Sequence, residues 1–152
     1  MSVDRTKDLL RILLADDDED DRMFFTDALK ATEIPTDVVT VADGLELMSY
    51  LSTHEKQLPH VLFLDLNMPR KGGMECLREI RSESKFKEVA IAIYSTSGSE
   101  SDIDTSFMLG ANIYIKKPSD FTSLKKVIGE VVSINWQYHI SQLNRENFLM
   151  VI

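Results

Sequence analysis

Five short apolar runs punctuate this chain, and a stretch of helical periodicity follows each one. The runs are Leu9–Ala15 (LLRILLA), Val38–Val41 (VVTV), Val61–Leu64 (VLFL), Val89–Tyr94 (VAIAIY) and 111–115 (ANIYI). They are of strand length, rich in β-branched residues and almost continuously apolar, as strands covered on both faces are. Between them, apolar residues recur every three or four positions. Met23, Phe24, Phe25, Ala28 and Leu29 form one such set; Leu47, Met48 and Leu51 a second; Met74, Leu77 and Ile80 a third. Ile103–Leu109 reads as a fourth helix closed by Gly110, and a fifth starts near Phe121. Repeated βα units joined by right-handed crossovers imply a five-stranded parallel sheet with helices on both faces, the flavodoxin-like doubly wound α/β architecture. At 152 residues the chain is expected to form one domain, with a core over about 9–132 and a helical extension over about 133–152.

In open parallel sheets, ligands bind at the carboxyl ends of the strands. Here those ends carry Asp16 and Asp17, Asp65, Ser95 and Thr96, and Lys116 and Lys117 before Pro118. The fold would gather them on one rim as three carboxylates, a hydroxyl and an ammonium. Carboxylates so close repel one another unless a counter-charge is present. Oxygen donors alone on a shallow rim suit Mg²⁺ and disfavour zinc. Each feature also has a plain reading. An acidic run at a helix start is commonly a solvated face favoured by the helix dipole, and that reading is taken for Asp18, Glu19, Asp20 and Asp21. Asp65 could be a turn residue, Ser95 a loop cap and Lys117 a surface lysine. Their joint occurrence at four strand ends argues for a site.

The net charge of −8 disfavours a nucleic-acid partner, which requires a basic face. A single cysteine, Cys76, excludes an internal disulfide and a multi-cysteine zinc site. No apolar run approaches membrane-spanning length and the N-terminus has no signal-peptide pattern, so a cytoplasmic protein without membrane association is expected. His54, His60 and His139 read as surface residues.

Taken in order, Asp16-Asp17, Asp65 within Leu64-Asp65-Leu66-Asn67-Met68-Pro69, Gly72-Gly73, Ser95 and Lys117-Pro118 closely resemble the receiver domain of bacterial two-component response regulators. The resemblance covers about residues 9–132, with 30 positions from Asp65 to Ser95 and 22 from Ser95 to Lys117. It implies that Asp65 accepts a phosphoryl group from a histidine kinase or phosphotransfer protein. Asp17 would bind Mg²⁺ directly, Asp16 largely through water, and Asn67 through its backbone carbonyl. Ser95 and Lys117 would contact phosphoryl oxygens, and Tyr114 would be the aromatic switch that turns inward behind Ser95. Asn67 and Ser97 occupy positions that resemble those which, in the family, tune acyl-phosphate lifetime. The Lys117–Pro118 bond would be cis. Finer features resemble stand-alone regulators, including those partnered with bacterial phytochromes.

Two rivals share the architecture. An Asp-nucleophile phosphohydrolase would use Asp16-x-Asp18, but lacks its hydroxyl-bearing followers and a cap insertion. A flavodoxin-like carrier would need a hydroxyl-rich phosphate loop where the acidic block stands. In the C-terminal segment, Leu124, Val127, Ile128, Val131 and Tyr138 form one stripe expected to face the sheet. Val132, Trp136, Ile140 and Leu143 form a second, expected to mediate a homodimer or dock a partner if the helix continues. The alternative is a break near Asn135 with the tail folded back over its own domain.

Overall fold

A computed structural model describes residues 9–134 and 149–150. The strands are β1 (Leu10–Ala15), β2 (Thr36–Val41), β3 (Val61–Leu64), β4 (Ala90–Ser95), β5 (Ile113–Lys116) and β6 (Leu149–Met150). The helices are α1 (Glu19–Ala31), α2 (Gly44–Thr53), α3 (Gly73–Ser82), α4 (Glu100–Met108) and α5 (Phe121–Val132). All pairings are parallel and the order is β2-β1-β3-β4-β5-β6. The expected (βα)5 sheet is present, with a short sixth strand on its β5 edge. No helix among the described residues is long and apolar enough to cross a membrane.

Successive strand residues face opposite sides of the sheet, and this builds two cores. Leu13, Ala15, Leu62, Leu64, Ile91, Ile93 and Tyr114 pack against α2, α3 and α4 through Leu47, Leu51, Leu77, Ile80 and Ile103. Ile12, Leu14, Val61, Phe63, Ala92, Tyr94 and Ile115 pack against α1 and α5 through Phe25, Leu29, Leu124, Ile128 and Val131. Each fully buried Val, Leu, Ile or Phe among them contributes about 1.5–3 kcal/mol.

Short polar side chains set where the helices begin. Asp18 accepts the Asp21 N–H at 3.0 Å at the start of α1, Asp43 the Glu46 N–H at 2.9 Å, and Asp120 the Ser123 N–H at 2.8 Å. Gly110, with φ of 103°, follows α4 in the left-handed conformation that a helix stop favours. Gly73 lies so close to β3 that a Cβ there would sit 2.2 Å from the Asp65 carbonyl oxygen. The start of α3 is thereby fixed against the end of β3.

The C-terminal expectations are corrected in part. α5 ends at Val132, with Ser133 as its cap, and Leu149–Met150 are strand; the rest of the expected extension lies outside the described residues. Val132, assigned to a second stripe, is 6% exposed and belongs to the same core as Leu124 and Val131; Ile134 packs beside it. A helix that stops at Val132 has its last turn folded onto the domain rather than projecting from it. Trp136, Tyr138, Ile140 and Leu143 lie outside the described residues.

Candidate functional site

The strand order changes direction between β1 and β3: β2 lies to one side and β4 and β5 to the other. A crevice opens at the carboxyl ends of such a pair, and Asp16 and Asp65 follow directly from these two strands. Their backbones are held by the sheet: Asp16 N–H donates to Val41 O at 3.1 Å, and Asp65 N–H to Ala15 O at 3.0 Å. On the far side, Lys117 N–H donates to Ser95 O at 2.8 Å, extending the β4–β5 ladder by one residue. The four expected strand ends therefore meet on one rim.

At its centre is the Lys117 ammonium. Its Nζ lies 2.8 Å from Asp16 Oδ2, 3.0 Å from Asp21 Oδ2 and 3.2 Å from Asp65 Oδ2. The Asp21 and Asp65 contacts are hydrogen bonds, with lysine donating. Asp16 is fully buried, and its Oδ2, despite the close ammonium, receives no aligned hydrogen bond. Asp16 Oδ1 accepts the Asp18 N–H at 3.0 Å, and Asp65 Oδ1 accepts the Asn67 N–H at 3.1 Å.

Burial holds the Asp65 carboxyl above its ordinary range; Lys117 and the Asn67 N–H pull it down without winning, and Asp16 pushes it further up. For Lys117, burial acts to lower the pKa. The close contact with Asp16 and the charges of Asp65 and Asp16 outweigh it and hold the ammonium above the normal lysine value. The lysine stays charged throughout the physiological range.

One ligand oxygen from each of Asp16, Asp17 and Asp65 can be chosen so that all lie within 4.8 Å of one another. Three hard oxygen donors, one of them from the buried Asp16, fit a hexacoordinate divalent cation such as Mg²⁺. Asn67 is exposed in the loop after β3. In that loop Arg70 takes a positive φ of 69° and pairs with Asp43 Oδ2 at 3.3 Å.

Ser95 is fully buried, and its Oγ accepts the Ser97 N–H at 3.1 Å. Tyr114 is also fully buried, facing α4, and its hydroxyl donates to Ser97 O at 2.7 Å. The expected cis bond at Lys117–Pro118 is a correction: among the described residues no peptide is cis. The trans bond, favoured by about 0.5–1 kcal/mol in X–Pro, already delivers the ammonium to the carboxylates.

Two residues at the site went unrecognised in the sequence. Asp21 was read as solvated. It stands four residues before Phe25, on the inward stripe of α1, and that spacing points it at the crevice. Tyr94 was read only as the end of a strand. Its ring lies beneath Lys117, with Nζ 5.2 Å from the centroid, and packs edge-on to Phe25 and Phe63.

The family model for the response regulator receiver domain matches residues 12–129. The chain belongs to the response regulator receiver domain family. Response regulator Rcp1 of Synechocystis sp. is 30% identical over 126 residues, covering 80% of this chain and 86% of that protein. Chemotaxis protein CheY1 of Helicobacter pylori is 29% identical over 126 residues, covering 83% and 99%. Among solved structures, the phosphorylated cyanobacterial phytochrome response regulator RcpA superposes with a TM-score of 0.76 at 32% identity, covering 90% of this chain and 97% of that one. The Mn²⁺-bound form of Rcp1 gives 0.72 at 30% identity, covering 82% and 92%. As a receiver domain this chain is a phosphoacceptor rather than an enzyme acting on external substrates, which removes the phosphohydrolase and flavin-carrier readings. Family membership implies a histidine kinase or phosphotransfer protein as phosphoryl source.

Proposed function

We propose that Asp65 is the phosphoacceptor of a receiver that signals through protein contacts. The observation that carries this reading is the Lys117 ammonium held between Asp65 and Asp16 at the carboxyl ends of β3 and β1. An Asp65 carboxylate oxygen attacks phosphorus, the bond to the donor breaks, and the leaving group departs with its electron pair. Two anions meet in this step, so its barrier depends on positive charge placed at the reacting oxygens. Lys117 supplies one such charge. Asp16, Asp17, Asp65 and the Asn67 carbonyl would hold Mg²⁺, whose chemistry is to neutralise phosphoryl oxygens. Ser95 hydrogen-bonds a phosphoryl oxygen, and Tyr114 transmits its movement to α4 through Ser97. Asn67 and Ser97 govern water access to the acyl phosphate and hence its lifetime.

The acidic surface, with a net charge of −8, supports a protein partner over nucleic acid. The test is mass spectrometry after incubation with acetyl phosphate, with and without Mg²⁺. Labelling that depends on the cation and is lost in Asp65→Asn is expected. Undiminished labelling of Asp65→Asn overturns the assignment, and full labelling of the wild type without divalent ions overturns the metal role.

A further inference from the structure

We propose that Asp21 is a positioning residue that competes for Lys117 and restrains phosphorylation at Asp65; this rests on the reading of Asp65 as phosphoacceptor. Lysine has three N–H donors, and three carboxylates surround Lys117 Nζ at 2.8–3.2 Å. Two of them, Asp16 and Asp65, belong with Asp17 to the group of oxygens that fits a divalent cation. Asp21 stands outside that group. A bound cation would therefore offset the charge of Asp16 and Asp65, while Asp21 keeps Lys117 as its counter-ion. Asp21 also receives one of the two well-aligned hydrogen bonds that Lys117 makes to carboxylates.

An ammonium shared with Asp21 offers less attraction to an incoming phosphoryl dianion. Asp21 is held in place for this. It is in the first turn of α1, its N–H is fixed by Asp18 Oδ1 at 3.0 Å, and it shares the inward stripe with Phe25. Its side chain is 40% exposed against 9% for Lys117. Its influence is thus partly screened by water and sensitive to salt.

The experiment measures phosphorylation rates with two small donors in saturating Mg²⁺: acetyl phosphate, a dianion, and phosphoramidate, a monoanion at neutral pH. Asp21→Asn keeps the shape and removes the charge. Asp21→Ser is a second removal of different size, with folding of both checked by circular dichroism. Asp20→Asn is the control: it removes the same charge from the same turn at an exposed position. We expect both Asp21 variants to accelerate the dianionic donor about three- to tenfold at low salt, the monoanionic donor less, with the gain shrinking as ionic strength rises. Mg²⁺ affinity by calorimetry should change by no more than about twofold, as for a group outside the ion's ligand set. Unchanged or slower rates overturn the proposal, as do equal gains with both donors or an equal effect of Asp20→Asn. A Mg²⁺ affinity reduced as far as in Asp17→Asn would make Asp21 a metal ligand and also overturn it. If the wild type takes no label, or Asp65→Asn is labelled as well as wild type, it is the phosphoacceptor reading that fails.

Discussion

The Tyr114 hydroxyl donates to the carbonyl oxygen of Ser97 at 2.7 Å, tying β5 to the loop that follows β4. Ser97 N–H in turn donates to Ser95 Oγ at 3.1 Å. The ring on β5 and the hydroxyl at the site are therefore connected through one residue. Burial raises the Tyr114 phenol pKa, opposed by its bonds to Ser97 and Ser95, so the hydroxyl keeps its proton and remains a donor.

Tyr114→Phe should cost about 1 kcal/mol, the usual net value of one such hydrogen bond. Urea denaturation checks this. The rate of labelling at Asp65 should change less than about twofold, because the hydroxyl bonds the loop and not the reacting carboxylate. A larger loss of labelling would place Tyr114 in the chemistry itself.

Asp65→Asn should stabilise the fold. Burial first, and Asp16 last, hold the native Asp65 pKa above that of the unfolded chain despite Lys117 and Asn67. The native state then binds more protons than the unfolded state from about pH 4 up to that raised value, and stability falls as pH rises through this window. Above that raised value the penalty is present in full, and asparagine removes it, while Lys117 keeps Asp16 and Asp21. Thermal unfolding without divalent ions should show a higher midpoint for the variant at pH 7, at about 2–4 °C per kcal/mol. The gap should close on acidification.

Much of this site was legible because its members end strands. Asp16, Asp65, Ser95 and Lys117 each follow an apolar run, and a parallel sheet brings such ends together whatever the details of packing. Asp21 was hidden because an acidic helix start has a sufficient explanation in the helix dipole. The stripe it shares with Phe25 shows only when α1 is read from its buried face. β6 was illegible for a different reason: two residues carry no periodicity, and the strand exists through pairing with β5. Val132 stands four residues after Ile128, a spacing that puts both on one face of α5, so its place in the core was open to a reading of the helical period. The trans bond at Pro118 has no local signal in Lys117-Pro118.

A pH dependence should arise at the opposite end of the sheet. His60 Nδ1 accepts the backbone N–H of Arg11 at 2.9 Å, so this nitrogen must be unprotonated. Burial, then the Arg11 charge, lowers the His60 pKa below 6.5. The unfolded state then binds more protons than the native state between the lowered value and 6.5, so this contribution is present above pH 6.5 and lost on acidification. His60→Gln should flatten the stability profile in that interval, measured by denaturant titration at a series of pH values. An unaltered slope would remove His60 from the account.

Gly73→Ala should destabilise by about 1–3 kcal/mol, the range for overpacking, because the new methyl would meet the Asp65 carbonyl oxygen at 2.2 Å. Relief requires α3 to retreat from the end of β3. Labelling from acetyl phosphate should fall along with stability. Gly72→Ala, whose nearest contact is 3.6 Å away, should do neither.

The pairing of Leu149 with Tyr114 and of Met150 with Ile115 also bears on how the protein behaves in concentrated solution. An uncovered β5 would present a row of free amides and carbonyls beside buried apolar residues, a template on which a neighbouring molecule could add a strand. By occupying that row, a two-residue strand insulates the sheet against its own copies. Removing 149–152 should therefore leave the site chemistry intact while lowering the concentration at which the protein begins to aggregate.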